Sequence, residues 1–388
     1  MIGVDEARAR LLAAARRLPA ETVPLAGAAG RTLAAPLEAT RTQPPFPASA
    51  MDGYAVRSAD VAAGPVVIVG ASVAGRRHDA VLGPGEAVRI FTGAPVPAGA
   101  DAVLIQEDAD VDGDSLTARE VPAPGANIRR AGLDFAAGDL LLPEGATLAP
   151  RHLALAGAGG HALLPVVRRP RVAFLATGDE LVPPGAPAGP DQIVASVTPA
   201  LAAMVEAAGA ETLDLGIAPD DQAEIARRAR TALATADVLV TLGGASVGAH
   251  DLVRPALADL GIALDFWRVA VRPGKPLMFA SSPLVLGLPG NPVSGAVCTL
   301  LFLVPLVEAL QGRTPGPHPR QGVLGAPVGA NGPRRDHMRA RIVDGRLVPF
   351  PVQDSSMLSV LAAADALVVR EPHAPPAAPG EACAYLLL

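Results

Sequence analysis

The 388-residue chain is poor in several residue types that particular classes of protein require. Aromatic residues make up only 3% of it, so platforms that stack nucleic-acid bases are not expected. The formal net charge is −6, whereas nucleic-acid affinity rests on many cations that neutralise phosphates. Only two cysteines occur, Cys298 and Cys383, and they lack disulfide-framework or metal-ligand spacing. We therefore expect no nucleic-acid partner and a reducing, cytoplasmic setting.

Long apolar runs are also scarce. The most apolar one, residues 296–307, contains Thr299 and Pro305 and is too short to span a bilayer, so it predicts a buried helix. Residues 1–18 have the pattern of an amphipathic helix, and the acidic pair Asp5 and Glu6 argues against a signal peptide. We expect no membrane partner.

Lysine is the scarcest charged residue, because Lys275 is the only lysine among 32 basic positions. It lies in the segment 267–276 (WRVAVRPGKP), which also contains Arg268 and Arg272. Arginine is a planar fork, whereas lysine is a compact charge that reaches a single oxygen in a tight anion site. The alternative is chance survival of one lysine in an arginine-rich chain. We interpret residues 268–276 as the anion-handling core of an active site.

The chain changes texture several times. Short β-prone runs broken by Gly/Pro turns precede residue 143, strands alternate with helices from Arg171, and short runs return after a Pro/Gly linker near 314–317. Alternation of this kind predicts a doubly wound α/β domain with a parallel sheet. The predicted domains are a helical linking domain (1–43 with 144–170), an inserted small β domain (44–143), the α/β domain (171–317) and a C-terminal small β domain (318–388).

Within the α/β domain, ligands should bind beyond the carboxyl ends of the strands. We expect strands at 172–176, 212–217, 238–242, 266–271, 277–280 and 284–288, and helices at 198–208, 222–234, 252–260 and from 293. Asp179 and Glu180 follow the first strand, and adjacent carboxylates can hold Mg²⁺; a turn with a solvated acidic pair is the alternative. Asp220 follows the second strand, where ordinary helix capping explains it equally well.

A glycine-rich loop, residues 243–251, follows a third strand. Its glycines allow close approach to an oxyanion, Ser246 can donate a hydrogen bond, and Asp251 either binds a metal or caps the next helix. The loop 288–295 forms either a second anion cradle or a tight helix start. Acidic and basic loops at one sheet edge suit a metal beside an anionic substrate. The sequence contains no P-loop or GxGxxG motif.

Six motifs in order along the chain carry a family resemblance. They are PASAMDGYAV (47–56), TGA (92–94), TGDEL (177–181), GGASVG (243–248), RPGKP (272–276) and GLPGNPVS (287–294). Together they resemble the MoeA/gephyrin E-domain family, the molybdopterin molybdenumtransferases.

The resemblance implies a reaction and an assembly. Adenylylated molybdopterin and molybdate would bind as substrates, Mg²⁺-dependent cleavage would release AMP, and molybdenum would enter the dithiolene. The family forms a homodimer of four-domain subunits, in which the inserted β domain of one subunit lines the cleft of the other. The adenylyltransferase that supplies the intermediate and molybdoenzyme chaperones are further candidate partners.

The resemblance also implies site residues. Asp251 and Glu180 would bind Mg²⁺. The catalytic set carried over is Asp52, Thr92, Glu180, Asp220, Asp251 and Lys275, and the molybdate and substrate contacts are Ser246, Arg268, Arg272, Lys275, Ser355 and one of Arg334 or Arg335. For Asp52, an Asp-Gly turn is an alternative explanation.

Two departures and two alternatives accompany the resemblance. Arg268 and Arg272 stand where the family commonly has lysine, which preserves charge but changes reach, and Ala245 stands where valine is common. A MogA-like adenylyltransferase would share the α/β domain, but it normally carries Gly-Gly-Thr-Gly at 243–246 and lacks the flanking domains. A non-catalytic, gephyrin-like scaffold is the other alternative.

Overall fold

The structure is a computed structural model, and it describes residues 1–244 and 252–388. The chain forms two compact units. The first contains Met1–Glu21, Gly30–Thr32 and Val166–Leu388, and the second contains Thr22–Ala29 and Leu33–Pro165.

A five-stranded sheet organises the α/β part of the first unit. Its strands lie in the order Glu211–Ala218, Arg171–Thr177, Val238–Leu242, Leu284–Leu288 and Met278–Ser281. The first four run parallel, as predicted, and Met278–Ser281 is an antiparallel edge strand. Every residue of Val238–Leu242 is buried, because helices cover both faces of the sheet.

Apolar residues at helical spacing explain how those faces are covered. Ile225 and Ala229 of one helix are buried against one face, and Asp221 accepts a 2.8 Å hydrogen bond from the Glu224 amide at that helix start. Phe302 and Leu306 pack on the other face. The helices of the described α/β part are Val4–Ala14, Val197–Ala207, Gln222–Leu233, Val253–Asp259, Pro292–Cys298 and Val304–Leu310, the last two joined by a π-helical turn at Thr299–Leu303.

The helical run Pro292–Leu310 is long and apolar enough to cross a membrane by length and composition alone, but 72% of it is buried within the protein. Its apolar residues belong to the sheet-covering core just described. The run therefore has the character of the buried helix predicted from residues 296–307.

The stretch predicted as a strand at 266–271 behaves differently. Only Val271–Arg272 forms a strand, and it pairs in parallel with the start of Arg335–Val343 in the C-terminal sheet. Phe266 makes a single bridge to Phe279 at the edge of the α/β sheet. The sequence pattern identified the extended, half-apolar segment but placed it in the wrong sheet.

The C-terminal sheet completes the first unit. Leu324, Leu347 and Val368 form its buried centre. Its strands lie in the order Val271–Arg272, Arg335–Val343, Ala366–Arg370, Ala382–Leu387 and Arg320–Val323, with Arg346–Pro349 paired to Arg335–Val343 and a short helix at Leu358–Ala362.

The second unit is built around a six-stranded sheet, as expected of the inserted β domain. Small apolar clusters lie on its two faces, one around Leu104 and one around Val88. The strands lie in the order Ala102–Ile105, Gly53–Val56, Glu86–Ile90, Val66–Ser72, Ser115–Ala118 and Ala109–Asp112. The described helices of this unit are Ser58–Ala63 and Pro150–Ala158.

The helices expected to share one linking domain lie in different units. Val4–Ala14 contributes Val4, Ala7 and Leu11 to the core of the α/β part. Pro150–Ala158 lies in the second unit, where Gly157 faces Leu25. The four-domain boundaries therefore stay a prediction.

Candidate active site

Four of the predicted anion contacts line one cavity of about 450 Å³, which we call the basic cavity. It lies in the first unit, between the α/β part and the C-terminal sheet. Its lining residues are Arg272, Pro273, Gly274, Lys275, Pro276, Asn291, Ser294, Arg334, Gln353, Asp354 and Ser355.

The loop that carries Lys275 packs against the helix Pro292–Cys298. Gly274 is buried with φ +112°, and a Cβ there would lie 2.4 Å from the Cys298 sulfur, so only glycine fits. The Val269 amide donates a 3.0 Å hydrogen bond to the Lys275 carbonyl. Lys275 itself is exposed, and its ammonium has no hydrogen-bond or ion-pair partner among residues 1–244 and 252–388. The loop is thus closely packed, and the charge of Lys275 is unused within that part of the chain.

Arg272 reaches the same cavity from the neighbouring strand. Its Nη1 lies 3.3 Å from Oδ2 of Asp336, whose side chain is only 9% exposed. Burial raises the pKa of Asp336, and the Arg272 charge acts in the opposite direction. Half of the Arg272 side chain remains exposed, so it can also contact a bound anion.

Arg334 and Arg335, which sequence reasoning leaves as alternatives, have different surroundings. Arg334 lines the basic cavity and donates a 3.4 Å hydrogen bond to the Val271 carbonyl. Arg335 forms two 2.8 Å hydrogen bonds to Asp5 and one of 2.9 Å to Glu371. Both carboxylates raise the pKa of Arg335. Its bonding capacity is thus taken up away from the cavity.

One wall of the basic cavity is polar. Only Ser355 of this wall belongs to the predicted set, and its other residues are Asn291, Ser294, Gln353 and Asp354. Asn291 Nδ2 donates to Ser355 Oγ over 3.0 Å, and the Val293 amide donates to the Ser355 carbonyl over 3.1 Å. Ser294, in the same helix start, is buried. The GLPGNPVS motif was a signal for Asn291 and Ser294, whereas the predicted Ser355 was the only signal beside Gln353 and Asp354.

A second cavity, of about 460 Å³, lies at the carboxyl ends of the central strands, and we call it the acidic cleft. Glu180, Gly243 and Gly244 line it, and it shares Pro276 and Asn291 with the basic cavity, so the two adjoin. Gly178 has φ +142°, and a Cβ there would lie 2.3 Å from a Glu180 carboxylate oxygen. Glycine at 178 therefore makes room for the Glu180 carboxylate.

The other predicted acidic residues are spread around this edge. The Asp220 amide donates a 3.1 Å hydrogen bond to Asp179, which faces a neighbouring cavity of about 490 Å³. Ser246 and Asp251 lie outside the described residues. Within 1–244 and 252–388 no group of three or more His, Cys, Asp or Glu side chains is arranged to hold a metal.

A single carboxylate such as that of Glu180 nevertheless fits one kind of metal. Mg²⁺ keeps several waters and is commonly held by one or two carboxylates together with substrate phosphates. Glu180 is an exposed carboxylate on the wall of a cleft large enough for a phosphorylated ligand. The fit is to a metal shared with substrate.

Arg268 has a different environment from the other loop cations. It is half-buried, does not line the basic cavity, and accepts a 3.3 Å hydrogen bond from the Ile2 amide at its carbonyl. Its role in anion binding stays a prediction.

Asp52 and Thr92 lie in the second unit, where they contact each other. Asp52 Oδ1 accepts hydrogen bonds from the Thr92 amide at 2.7 Å and the Thr92 hydroxyl at 2.8 Å. These bonds hold the pKa of Asp52 below its usual value. Nearby, Arg89 lies over the Tyr54 ring at 4.8 Å and the Phe91 ring at 5.1 Å. Asp52 thus ties two loops together, whatever its part in chemistry.

Comparison with known proteins accounts for nearly the whole chain. Residues 2–160 match the MoeA N-terminal region (domains I and II), 173–309 a probable molybdopterin binding domain, and 321–388 the MoeA C-terminal region (domain IV). The chain belongs to the MoeA family.

Named relatives agree with the family models. The molybdopterin molybdenumtransferase of Haemophilus influenzae is 38% identical over 81% of this chain and 78% of its own, and that of Bacillus subtilis is 34% identical over 95% and 90%. A crystal structure of the molybdopterin biosynthesis MoeA protein from Pyrococcus horikosii matches 100% of this chain and 99% of its own, with a TM-score of 0.88 and 29% identity. This MoeA family member is accordingly a transferase, and its fold is that of the family.

Proposed function

We propose that the chain inserts molybdenum into molybdopterin, using molybdate and the adenylylated form of molybdopterin as substrates and releasing AMP. Relatives named molybdopterin molybdenumtransferase support the metal-insertion reaction. The observation in this chain that carries the proposal is the basic cavity, where Arg272, Lys275 and Arg334 meet around a space large enough for an oxyanion.

The charges around the basic cavity suit a dianion. Molybdate is a tetrahedral dianion, and opposite charges at short range attract strongly where water is partly excluded. Asp336 offsets Arg272 through their ion pair, and Asp354, whose Oδ1 accepts hydrogen bonds from Ser356, keeps its negative charge. Lys275, which has no partner in the described part of the chain, therefore supplies the charge that most favours anion binding, and Ser294 and Ser355 offer hydroxyl donors.

The adjoining acidic cleft suits the adenylate part of the substrate. Gly243 and Gly244 allow phosphate oxygens to approach the backbone at the ends of the strands. Glu180 would hold Mg²⁺, which supplies positive charge for the phosphate oxygens when bound. Ser246, Asp220 and Asp251 complete the proposed set.

The chemistry requires no protein nucleophile. Water attacks the adenylate phosphorus, the bond from that phosphorus to the bridging oxygen breaks, and AMP leaves with the water oxygen while molybdopterin retains its own phosphate. If a molybdate oxygen attacks instead, the first product is adenylyl-molybdate, and its hydrolysis releases AMP. The two dithiolene thiols then bind molybdenum, and one oxo group of molybdate leaves as water with their two protons. In this scheme Lys275, Arg272 and Arg334 hold the oxyanion and stabilise the charge that develops next to it. Glycine at 274 and the buried helix start below it keep these groups in place before substrate arrives.

The assembly is part of the proposal. We propose a cytoplasmic homodimer in which Asp52 and Thr92 of one subunit contribute to the cleft of the other, with the adenylyltransferase and molybdoenzyme chaperones as transient partners. Equilibrium sedimentation of the full chain, expected to give a dimer mass, tests this part. A monomer active at the same specific rate would contradict it.

The reaction is tested by mixing the full chain with adenylylated molybdopterin, Mg²⁺ and molybdate. We expect molybdate-dependent AMP release and reconstitution of a cofactor-free molybdoenzyme. Substrate binding without release would favour the scaffold alternative, and adenylylation of molybdopterin on adding ATP would favour the adenylyltransferase alternative.

The metal is tested separately with Glu180→Gln. We expect the Mg²⁺ concentration for half-maximal AMP release to rise by about tenfold, because one charged ligand is lost. Glu206→Gln, on an exposed surface of the same domain, is the control. An unchanged Mg²⁺ requirement in Glu180→Gln would remove Glu180 from the metal site.

A further inference from the structure

Arg339 is the largest fully buried side chain of the described protein, and its surroundings are unusual. It is 1% exposed, yet no carboxylate lies within ion-pair distance of it among residues 1–244 and 252–388. Burying a cation without a paired anion is costly, so the position calls for an explanation. Arg339 lies on the strand Arg335–Val343, behind the polar wall of the basic cavity.

The hydrogen bonds of the Arg339 side chain lead to that wall. Its Nε donates to Gln353 Oε1 at 3.1 Å and its Nη1 to the Asp354 carbonyl at 2.8 Å, while its own amide also donates to Gln353 Oε1 at 2.9 Å. Gln353 returns hydrogen bonds of 2.9 Å to the Arg339 carbonyl and 2.8 Å to the Phe350 carbonyl. We call this set of bonds the Arg339–Gln353 clamp.

The clamp determines where the segment 353–355 stands. Each of its residues lines the basic cavity, and Ser355 is bonded on its other side to Asn291 and to the Val293 amide. One end of the wall is thus held by the C-terminal sheet through Arg339, and the other by the helix start of the α/β part. Without the clamp, the C-terminal sheet no longer holds the Gln353 end of this wall.

We propose that Arg339 is a positioning residue of the anion site, acting through Gln353 and Asp354 to fix Ser355 in the wall of the cavity that Lys275 also lines. It does not touch the anion. Its positive charge lies behind the wall, where the Asp354 and Asp336 carboxylates attract it from beyond ion-pair distance, and it adds to the attraction for an anion in the cavity. This inference rests on the proposed function, because the anion it concerns is the one bound there.

The experiment uses the full-length chain and molybdate alone, with the dissociation constant measured by isothermal titration. The test variants are Arg339→Met, which removes the charge and the clamp, Gln353→Met, which keeps the charge and breaks most of the clamp, and Arg339→Lys, which keeps the charge but not the fork. Arg346→Met is the matched control, because Arg346 is exposed on a neighbouring strand of the same sheet.

We expect the molybdate dissociation constant to rise by about tenfold or more in Arg339→Met and several-fold in Gln353→Met, and Arg339→Lys to recover part of the loss. In Arg346→Met it should change by less than about twofold. The KM for molybdate should follow the dissociation constant, whereas kcat at saturating molybdate should change less. A purely structural role would lower the thermal midpoint without changing these constants.

Two results distinguish failure of this inference from failure of the proposed function. Wild-type affinity in both Arg339→Met and Gln353→Met would overturn the positioning role and leave the anion site standing; if Arg339→Met does not fold, Gln353→Met decides alone. Wild-type protein that neither binds molybdate nor releases AMP would overturn the proposed function, and this inference with it.

Discussion

Lys275 and Asp52 are both predicted site residues from specific motifs, but the structure surrounds them differently. Lys275 stands on a closely packed loop at the basic cavity, with no partner among residues 1–244 and 252–388. Asp52 accepts two hydrogen bonds from Thr92 and holds two loops together. A motif does not distinguish a side chain needed by the fold from one needed by chemistry. Whether the polar group is already satisfied helps to separate the two.

The largest effect should come from Lys275→Ala. We expect AMP release to fall by about 100-fold or more, because a charge-stabilising group is removed from a preformed site. The unfolding free energy should change little, since the ammonium has no described partner. Steady-state kinetics with a circular dichroism melt would check both. Near wild-type turnover in Lys275→Ala would show that the lack of a described partner does not mark a side chain needed for chemistry.

Arg334 and Arg335 are adjacent in the sequence and allow the same comparison, between a side chain at the cavity and one that is bonded elsewhere. Arg334→Ala should lower kcat/KM for molybdate by about 30-fold, a loss of about 2 kcal/mol, because Arg334 lines the basic cavity. Arg335→Ala should leave the kinetics near wild type and destabilise the protein by about 1 kcal/mol, since its exposed partners Asp5 and Glu371 are screened by solvent. The reverse pattern would reassign the anion contact to Arg335.

The buried His337 predicts a pH effect on stability. Burial lowers the pKa of His337 to about 4, from an ordinary value of 6.5. Between these values the unfolded chain takes up a proton that the folded chain does not, so the unfolding free energy falls as the pH falls from about 6.5 to 4. The raised pKa of Asp336 opposes this at the acidic end. A net loss of about 1 to 2 kcal/mol is expected.

That pH effect is measured by urea unfolding at several pH values. His337→Gln should flatten the curve between pH 6.5 and 4, whereas His373→Gln, at an exposed turn, should retain the wild-type slope. Equal slopes in His337→Gln and wild type would show that another group causes the loss.

Asp52→Asn should have only a small effect on stability. Asparagine keeps the oxygen that accepts from Thr92, so the unfolding free energy should change by less than about 0.5 kcal/mol. If Asp52 also has the proposed part in chemistry, AMP release should still fall by up to about tenfold, because the charge is gone. Full activity in this variant would show that Asp52 serves only the fold.

Much of the architecture was predictable because it follows from local pattern. Alternating apolar strands and amphipathic helices give the α/β sheet, and Val238–Leu242 and Leu284–Leu288 have the predicted bounds. The basic cavity could also be anticipated in part, since Arg272, Lys275 and Ser355 meet there. A scarce residue type and ordered motifs were sufficient signals.

The remainder depends on contacts between distant segments. Arg339 is one arginine among many in the sequence, and only tertiary packing shows that it is buried and linked to Gln353. Likewise, Val271–Arg272 has no local feature that assigns it to the C-terminal sheet rather than to the nearer one. Periodicity identifies strands but not which distant strand is their neighbour.

The pairing of Val271–Arg272 with the C-terminal sheet limits movement between the two parts of the first unit. The chain leaves the α/β part to hydrogen-bond with the C-terminal sheet, the Arg335 amide donating to the Ala270 carbonyl at 2.9 Å, and it returns as Met278–Ser281. The linker at 314–317 is therefore not a free hinge, because rotation about it would break the backbone hydrogen bonds between Val271–Arg272 and Arg335–Val343, close to Lys275. The two parts are interlocked, and an excised segment 171–317 would lose the strand partner of Val271–Arg272.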